Sequence, residues 1–320
     1  MRVGILGAGA IGSLVGAFIK QAGFEVVLVD PFEAHMKKIR EEGLVIDSAD
    51  GLIDTVKMET YTKAEDAGVV DILIVLVKTY LTEEALKGAG AMIGEETLVC
   101  TLQNGLGTEL KLLELFPKER VFYGVLKFNS RITEPGKLFV DIRKRPGHRF
   151  TIGAADTESK YAEKIKELCE GLEASGSTAA FVDNIEYYIW SKAINNVACN
   201  ALCGILRLTG GQMYDNENSR RVLEKIIREI FDVAKAKGID LGDVDEILAK
   251  YPEYPINNIR LHYPSTAQDM IGKKKTEINF LNGAISYYGK QLGVPTPVND
   301  TISDLVRAIE ENYENQAFEQ

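Results

Sequence analysis

Two stretches of the chain carry residues whose types and spacing could do chemistry. In 189-IWSKAINNVACNALC-203, one lysine and three asparagines, Lys192, Asn195, Asn196 and Asn200, lie among Ile189, Trp190, Ile194, Val197 and Leu202. Asparagine is a poor helix former, and an amine is costly to bury without partners. If the stretch is a helix, Asn196 and Asn200 follow Lys192 at i+4 and i+8. Each four-residue step turns about 40° past a full revolution, so all three share one broad face. A ketone accepting hydride develops negative charge on oxygen and needs a proton. An ammonium at that point can supply both the field and the proton, and amides can orient a substrate without adding competing charge. The competing reading is a polar face in water; the apolar surroundings argue instead for a cavity.

The second stretch is 7-GAGAIG-12. Gly7, Gly9 and Gly12 form G-x-G-x-x-G, a weak pattern alone. Here it ends a strand, opens a helix and precedes a second strand that runs to Asp30. Gly7 permits the turn, Gly9 lets backbone approach a pyrophosphate, and Gly12 allows close helix–strand packing, so Gly7, Ala8, Gly9, Ala10, Ile11 and Gly12 are expected to hold a dinucleotide at a helix N-terminus. Asp30 sits where an acid accepts hydrogen bonds from ribose hydroxyls and repels a 2′-phosphate. It therefore favours NAD(H) over NADP(H), although Arg40 nearby could accommodate a phosphate. Lys78 follows the apolar run 71-DILIVLV-77 and reads either as a cofactor contact at the carboxyl edge of the sheet or as a strand-end lysine in water. Asn104, in 102-LQNGLG-107, reads either as a ligand contact at the same edge or as an Asn-Gly turn.

These residues need elements to position them. Strands are expected at 2–6, 25–30, 44–47, 71–78 and 97–103, with helical patterns between several of them. The segments 121–128, 137–142 and 149–154 are expected as strands of a mixed sheet edge. The strand–helix–strand start implies a right-handed parallel crossover. The texture changes near residue 183, after which the pattern is almost wholly helical: about 184–206, 218–238, 274–293 and a last helix with Pro297 in its first turn. The expectation is an α/β domain over 1–183 and an all-helical domain over 184–320.

Composition narrows the partners. The chain has 320 residues, 45% hydrophobic, with a formal net charge of −10 and a pI near 5.1. That balance argues against a nucleic-acid or anionic-membrane binder. The basic run 143-RKRPGHR-149 reads as a solvated turn around Pro146-Gly147. Cys100, Cys169, Cys199 and Cys203 form no CxxC pair or Cys/His cluster, which argues against a metal site and favours core thiols over a redox pair. No apolar run approaches membrane-spanning length. The expectation is a reduced, cytoplasmic, soluble protein, and the long helices could support a homodimer.

With these residues in hand, the chain resembles the ketopantoate reductases (2-dehydropantoate 2-reductases) over nearly its whole length. The resemblance rests on 7-GAGAIG-12, 77-VK-78, 103-QNG-105, 192-KAINNVACNAL-202, 262-HYPSTAQD-269, 276-TEIN-279, 281-LNG-283 and 293-GVPTPVN-299. It implies a Rossmann-like domain and a helical domain with the active site between them. It also implies Lys192 as general acid, Asn104 where cofactor and substrate meet, and Asn196 and Asn200 as substrate-contacting amides. Ser265 would bind near the substrate carboxylate, Glu277 would organise the lysine and cofactor, and Lys78 would touch the cofactor. Without the resemblance, Ser265 reads as a loop or N-cap serine after Pro264, and Glu277 as an exposed helix acid.

Three features depart from the family pattern. Asp30 is an acid where many members, which use NADPH, have none. The segment 124–136 lacks the usual small residues. Gly210 falls near the place of a further substrate asparagine. The chain is also similar to the NAD-dependent D-2-hydroxyacid (D-mandelate) dehydrogenase branch, in 28-LVDPFEAHMKKIREEGL-44 and 282-NGAISYYGKQLGV-294. The implied activity is reduction of 2-dehydropantoate to (R)-pantoate with NAD(H) or NADP(H). The alternatives are a D-2-hydroxyacid dehydrogenase of branched or aromatic 2-oxo acids and a catalytically silent dinucleotide sensor. A sensor would have no use for the proton donor Lys192.

Overall fold

A computed structural model describes residues 1–49, 51, 53–140, 149–256 and 260–316 of the chain. The chain divides into two compact units, one of Met1–Asn104 with Thr108–Ile185, the other of Gly105–Gly107 with Glu186–Gln320. Most of the basic run, residues 143–148, lies outside the described residues.

The first unit is built on β1 (Arg2–Leu6), β2 (Glu25–Val29), β3 (Leu44–Ser48), β4 (Ile53–Val56), β5 (Glu59–Tyr61) and β6 (Ile72–Val75). It continues with β7 (Leu98–Thr101), β8 (Val121–Leu126), β9 (Ser130–Glu134), β10 (Lys137–Val140), β11 (Phe150–Ala154) and β12 (Ala179–Phe181). Its helices are α1 (Ala10–Gln21), α2 (Glu33–Glu42), α3 (Thr82–Gly88), α4 (Leu110–Leu115) and α5 (Ala162–Ala174). The main sheet has the order β12-β11-β8-β7-β6-β1-β2-β5. Its neighbours run parallel except β8 and β11. β6 and β7 are buried along their whole length, as strands covered on both faces must be, and they read as unbroken apolar runs. The chain leaves β1 for β2 on one side and later returns to β6 on the other. The reversal of strand order at β1 opens a crevice at the carboxyl ends of these strands.

Three expectations need correction. Of the strand expected at 137–142, the last two residues lie outside the described residues, and the part up to Val140 does not join the edge of the main sheet. β10 pairs parallel with β3 and antiparallel with β9, in a separate sheet of order β4-β3-β10-β9. Leu138 and Val140 are buried while Lys137 and Phe139 are only partly covered; that alternation belongs to a sheet with one solvated face. The strand expected to end at Lys78 stops at Val75, and Lys78 instead heads the short 3-10 turn Thr79–Leu81. The helix expected from 274 begins at Asn282. Ahead of it, the Thr276 N–H donates to Glu310 Oε1 at 2.7 Å and the Ile278 N–H donates to Thr276 Oγ1 at 3.2 Å. These bonds hold the backbone outside a helix up to the 3-10 turn Ile278–Phe280.

The second unit is helical: α6 (Ile185–Leu206, whose first residue belongs to the first unit), α7 (Gly210–Asp215), α8 (Glu217–Ala236), α9 (Val244–Lys250), α10 (Ser265–Ile271), α11 (Asn282–Leu292) and α12 (Pro297–Glu310). Pro297 occupies the first turn of α12. Its middle holds a buried polar chain. The Glu229 carboxylate on α8 accepts the N–H groups of Val298 and Asn299 at 2.8 and 2.9 Å, and Asn299 Nδ2 at 2.7 Å. Asn282 Nδ2 then donates to Asn299 Oδ1 at 3.0 Å and to the Val197 carbonyl on α6 at 3.1 Å. Asn282 and Asn299 are wholly buried and Glu229 nearly so. A carboxylate at the start of α12 also meets the positive end of that helix. No helix among the described residues is long and apolar enough to cross a membrane.

Truncating one member of such a chain strands the others without partners. Glu229→Ala is expected to lower unfolding free energy by about 2–4 kcal/mol, read from urea titrations of the full chain. A loss below about 0.5 kcal/mol, the usual scale of surface substitutions, would show that the carboxylate does not organise α12.

Candidate active site

In the first unit the glycine turn is built by close approach. Gly7 has φ +96°, and a Cβ there would lie 2.4 Å from the Val77 nitrogen. A Cβ on Gly12 would lie 2.0 Å from the Gly7 carbonyl oxygen. Both positions therefore exclude a side chain. Gly9 is the opposite case, with nothing within 4 Å of an added Cβ; the backbone there faces open space. The N–H groups of Gly7 and Ala8 both donate to the Val29 carbonyl, at 2.9 and 3.2 Å, tying the turn to the end of β2 beside Asp30. The first intrahelical bond of α1 runs from Ser13 N–H to Gly9 O, so the amides of Ala10, Ile11 and Gly12 head the helix. No side chain caps them and no acid lies in the first turn. An uncapped, uncharged N-terminus under an open glycine fits a dinucleotide pyrophosphate.

Asp30 is half-buried one residue beyond β2. One carboxyl oxygen, Oδ1, accepts the Phe32 N–H at 2.9 Å. Burial raises the Asp30 carboxyl above its ordinary range, and that hydrogen bond opposes the shift. Residues 31–33 are Pro, Phe and Glu, so no cation directly follows the acid; Arg40 is exposed near the far end of α2.

Lys78 and Asn104 lie on loops beyond β6 and β7, half-buried and exposed respectively. The residue that joins these loops belongs to the motif 103-QNG-105 but has no role assigned from sequence. Gln103 is buried; its Nε2 donates to the Val77 carbonyl at 2.7 Å and to Thr82 Oγ1 at 2.9 Å, while its Oε1 accepts from Thr101 Oγ1 at 2.8 Å. The Thr79 hydroxyl donates to the Asn104 carbonyl at 3.4 Å. A polar residue directly after the apolar 98-LVCTL-102 was the available signal.

In the second unit, α6 carries Lys192, Asn196 and Asn200 on one face; the first two are half-buried and Asn200 is 4% exposed. Asn200 Nδ2 donates to Ser265 Oγ at 3.3 Å, joining two residues 65 positions apart. Ser265 is exposed as the first residue of α10, after Pro264, rather than an N-cap. Asn195 turns elsewhere: it accepts the buried Tyr251 hydroxyl at 3.0 Å, and that oxygen also lies 3.1 Å from Cys199 Sγ. Burial lifts the Tyr251 hydroxyl well above its usual range. Asn200 and Asn195 thus answer two different needs on one apolar helix.

Glu277 is half-buried. It is not the helix acid of the sequence reading; its carbonyl accepts the Phe280 N–H at 2.9 Å at the head of a 3-10 turn. Gly105, which follows Asn104, belongs to this second unit. At φ +111°, a Cβ on Gly105 would lie 2.6 Å from the Phe280 carbonyl oxygen, which accepts the Leu106 N–H at 2.8 Å. All four cysteines are buried, unpaired thiols. Burial pushes every one upward, Cys169 and Cys199 to about 12, so none is a ready thiolate. Among the described residues, no group of three His, Cys, Asp or Glu could hold a metal ion.

The contact at Gly12 yields a direct test. Gly12→Ala must push α1 off the turn, an overpacking worth about 1–3 kcal/mol. Transmitted to the turn, that is roughly ten- to a hundredfold in dinucleotide affinity, measurable by calorimetry on folded protein. Wild-type affinity in the variant would remove the turn from cofactor binding.

The chain is similar to known proteins along nearly its whole length. The family model Ketopantoate reductase PanE/ApbA matches residues 3–156, and Ketopantoate reductase PanE/ApbA C terminal matches residues 184–310. A 2-dehydropantoate 2-reductase of Aquifex aeolicus is 32% identical over 317 residues, 97% of each chain. One from Lactococcus lactis is 32% identical over 316 residues, 97% of this chain and 98% of that protein. Among solved structures, the ternary structure of D-mandelate dehydrogenase with NADH and anilino(oxo)acetate is 32% identical with a TM-score of 0.87, covering 98% of this chain and all of that one. A PanE/ApbA family ketopantoate reductase from Ralstonia eutropha JMP134 is 28% identical with a TM-score of 0.85, at the same coverage.

Proposed function

The chain belongs to the ketopantoate reductase family, and on that premise we propose that it reduces 2-dehydropantoate to (R)-pantoate with a nicotinamide cofactor. The observation that carries the reading is the polar face of α6, Lys192 with Asn196 and Asn200, with Asn200 bonded to Ser265 at the head of α10. The glycine turn at Gly7–Gly12 would hold the cofactor, which when bound would supply the hydride for the ketone carbon. Lys192 supplies the field that stabilises the developing alkoxide and the proton that completes the alcohol. Asn196, Asn200 and Ser265 orient the 2-oxo acid without a competing negative charge. Glu277 helps to hold the Lys192 ammonium in place. Lys78 and Asn104, on loops joined through Gln103, contact the cofactor.

NAD(H) is the preferred cofactor in this reading. Asp30 has one carboxyl oxygen engaged by backbone, leaving the other to accept from a ribose hydroxyl, and no cation directly follows it in the chain to take a 2′-phosphate. Asp30 also supports a second reading, an NAD-dependent D-2-hydroxyacid dehydrogenase acting on branched or aromatic 2-oxo acids. So does the likeness to D-mandelate dehydrogenase.

Two experiments test these roles. Lys192→Ala is expected to lower kcat by about 10²–10⁴-fold while the protein stays folded and still binds dinucleotide; Asn196→Ala should raise KM more than it lowers kcat. Turnover of Lys192→Ala within a few-fold of wild type would take the lysine out of the mechanism. A steady-state panel then pairs 2-dehydropantoate, 2-oxoisovalerate and phenylglyoxylate with NADH and NADPH. The expected outcome is fastest reduction of 2-dehydropantoate and a higher kcat/KM with NADH, with the cofactor ratio narrowed or reversed in Asp30→Ala. Much faster phenylglyoxylate or 2-oxoisovalerate reduction would select the dehydrogenase reading instead.

A further inference from the structure

A buried imidazole lies behind the glycine turn. His35, on α2, has no exposed surface. Its Nδ1 accepts the Gly136 N–H at 2.9 Å, from the turn between β9 and β10. Its Nε2 lies 3.0 Å from the Ser13 hydroxyl on α1, and that hydroxyl donates to the Ala8 carbonyl, inside the glycine turn, at 2.7 Å. The Phe32 ring stacks on the imidazole, with centroids 5.7 Å apart and planes 13° apart. Phe32 is also the residue whose N–H holds the Asp30 carboxylate.

The donors and acceptors determine the state of the ring. A backbone N–H can only donate, so Nδ1 must carry a lone pair. The single serine proton goes to Ala8, so Nε2 must carry the hydrogen and donate it to Ser13. Only the neutral Nε2–H tautomer satisfies every partner; a second proton at Nδ1 would face another donor.

We propose that Ser13 and His35 are positioning residues of the dinucleotide site. The neutral imidazole, through Ser13, holds the Ala8 carbonyl and so sets the direction of the amides at the head of α1. Through the stacked Phe32, the same ring steadies the loop that carries Asp30. This rests on the reading of the glycine turn as the cofactor site, and goes beyond it by assigning two residues that do not touch cofactor.

The arrangement implies pH dependence. Burial lowers the His35 pKa from its ordinary value near 6.5. The site is therefore intact above that value, and is lost as pH falls through the depressed folded-state pKa. Several charged groups on surrounding elements are held by other partners. Asp30 holds Phe32 N–H, Lys38 on α2 pairs with Glu42, Glu59 on β5 pairs with Arg2 and Tyr61, and Glu134 pairs with Lys137. Glu33 begins α2 on the exposed side. Both ring nitrogens are occupied by Ser13 and Gly136.

The test uses the full chain, with NAD⁺ and NADP⁺ as probes, calorimetry from pH 5 to 8, and melting curves at each pH. Ser13→Ala and His35→Leu are expected to weaken binding of the tighter dinucleotide by about tenfold at pH 7.5, the scale of one lost hydrogen bond. In steady state, KM for cofactor should rise with kcat at saturation little altered. His35→Gln keeps an acceptor and a donor without a titrating ring, so it should recover part of the affinity. Other carboxylates titrate in the same range, so the decisive quantity is the difference between wild type and His35→Gln: wild-type affinity should fall more steeply toward pH 5. Parallel pH profiles, with Ser13→Ala binding as tightly as wild type, would overturn the proposal. If His35→Leu does not fold, Ser13→Ala and His35→Gln decide it. Failure of the wild type to bind either dinucleotide at any pH would instead overturn the underlying reading of the glycine turn.

Discussion

Gly12 stands so close to the Gly7 carbonyl that an added Cβ would lie 2.0 Å from the oxygen. From that contact the rest of the first unit follows. Helix α1 can begin directly over the end of β1 only because neither glycine has a side chain. Its amides start uncapped beside Gly9, where an added Cβ would meet nothing, and Ser13 comes within reach of the Ala8 carbonyl. The two amides on Val29 pull the end of β2 to the same place, which brings Asp30 beside the turn. A helix start that must stay open for a ligand cannot be capped by a side chain. Ser13 approaches from behind, through the carbonyl, and leaves the amides uncapped.

The second unit solves a different problem. A helix that presents an ammonium and amides on one face has little apolar drive to fix its rotation. Its orientation comes from polar bonds on its other faces. Asn282 binds the Val197 carbonyl, and Asn195 binds Tyr251. Asn282 in turn is held through Asn299 by the Glu229 carboxylate. Each of these groups is buried or half-buried, so rotating α6 would break hydrogen bonds that water could not replace. The polar groups that make the candidate site thus rest on polar groups that take no part in it.

The two units differ in how legible they were. The glycine turn is a local requirement: positive φ at Gly7, open space at Gly9 and close packing at Gly12 are written within six residues. The face of α6 is equally local, because helical spacing alone puts Lys192, Asn196 and Asn200 together. The strands of the main sheet were legible as apolar runs because both their faces are covered. The ends of those runs were not, since 76-LVK-78 is as apolar at its start as the strand it follows. Beyond Val75 the Val77 carbonyl is taken by the Gln103 amide, and Lys78 heads a 3-10 turn.

By itself, the sequence determined the order of an α/β unit followed by helices, the position of the turn at Gly7–Gly12, the acid at Asp30 and the polar face of α6. All of these depend on neighbours within a few residues, through φ, periodicity or capping. Tertiary structure alone decided that β10 pairs with β3, that Glu277 heads a 3-10 turn, that Asn200 meets Ser265 while Asn195 meets Tyr251, and that His35 bridges Ser13 to Gly136. Each of these joins residues from 22 to 101 positions apart or turns on such a contact. A donor and an acceptor find each other across that distance only when packing leaves both buried with no water to satisfy them.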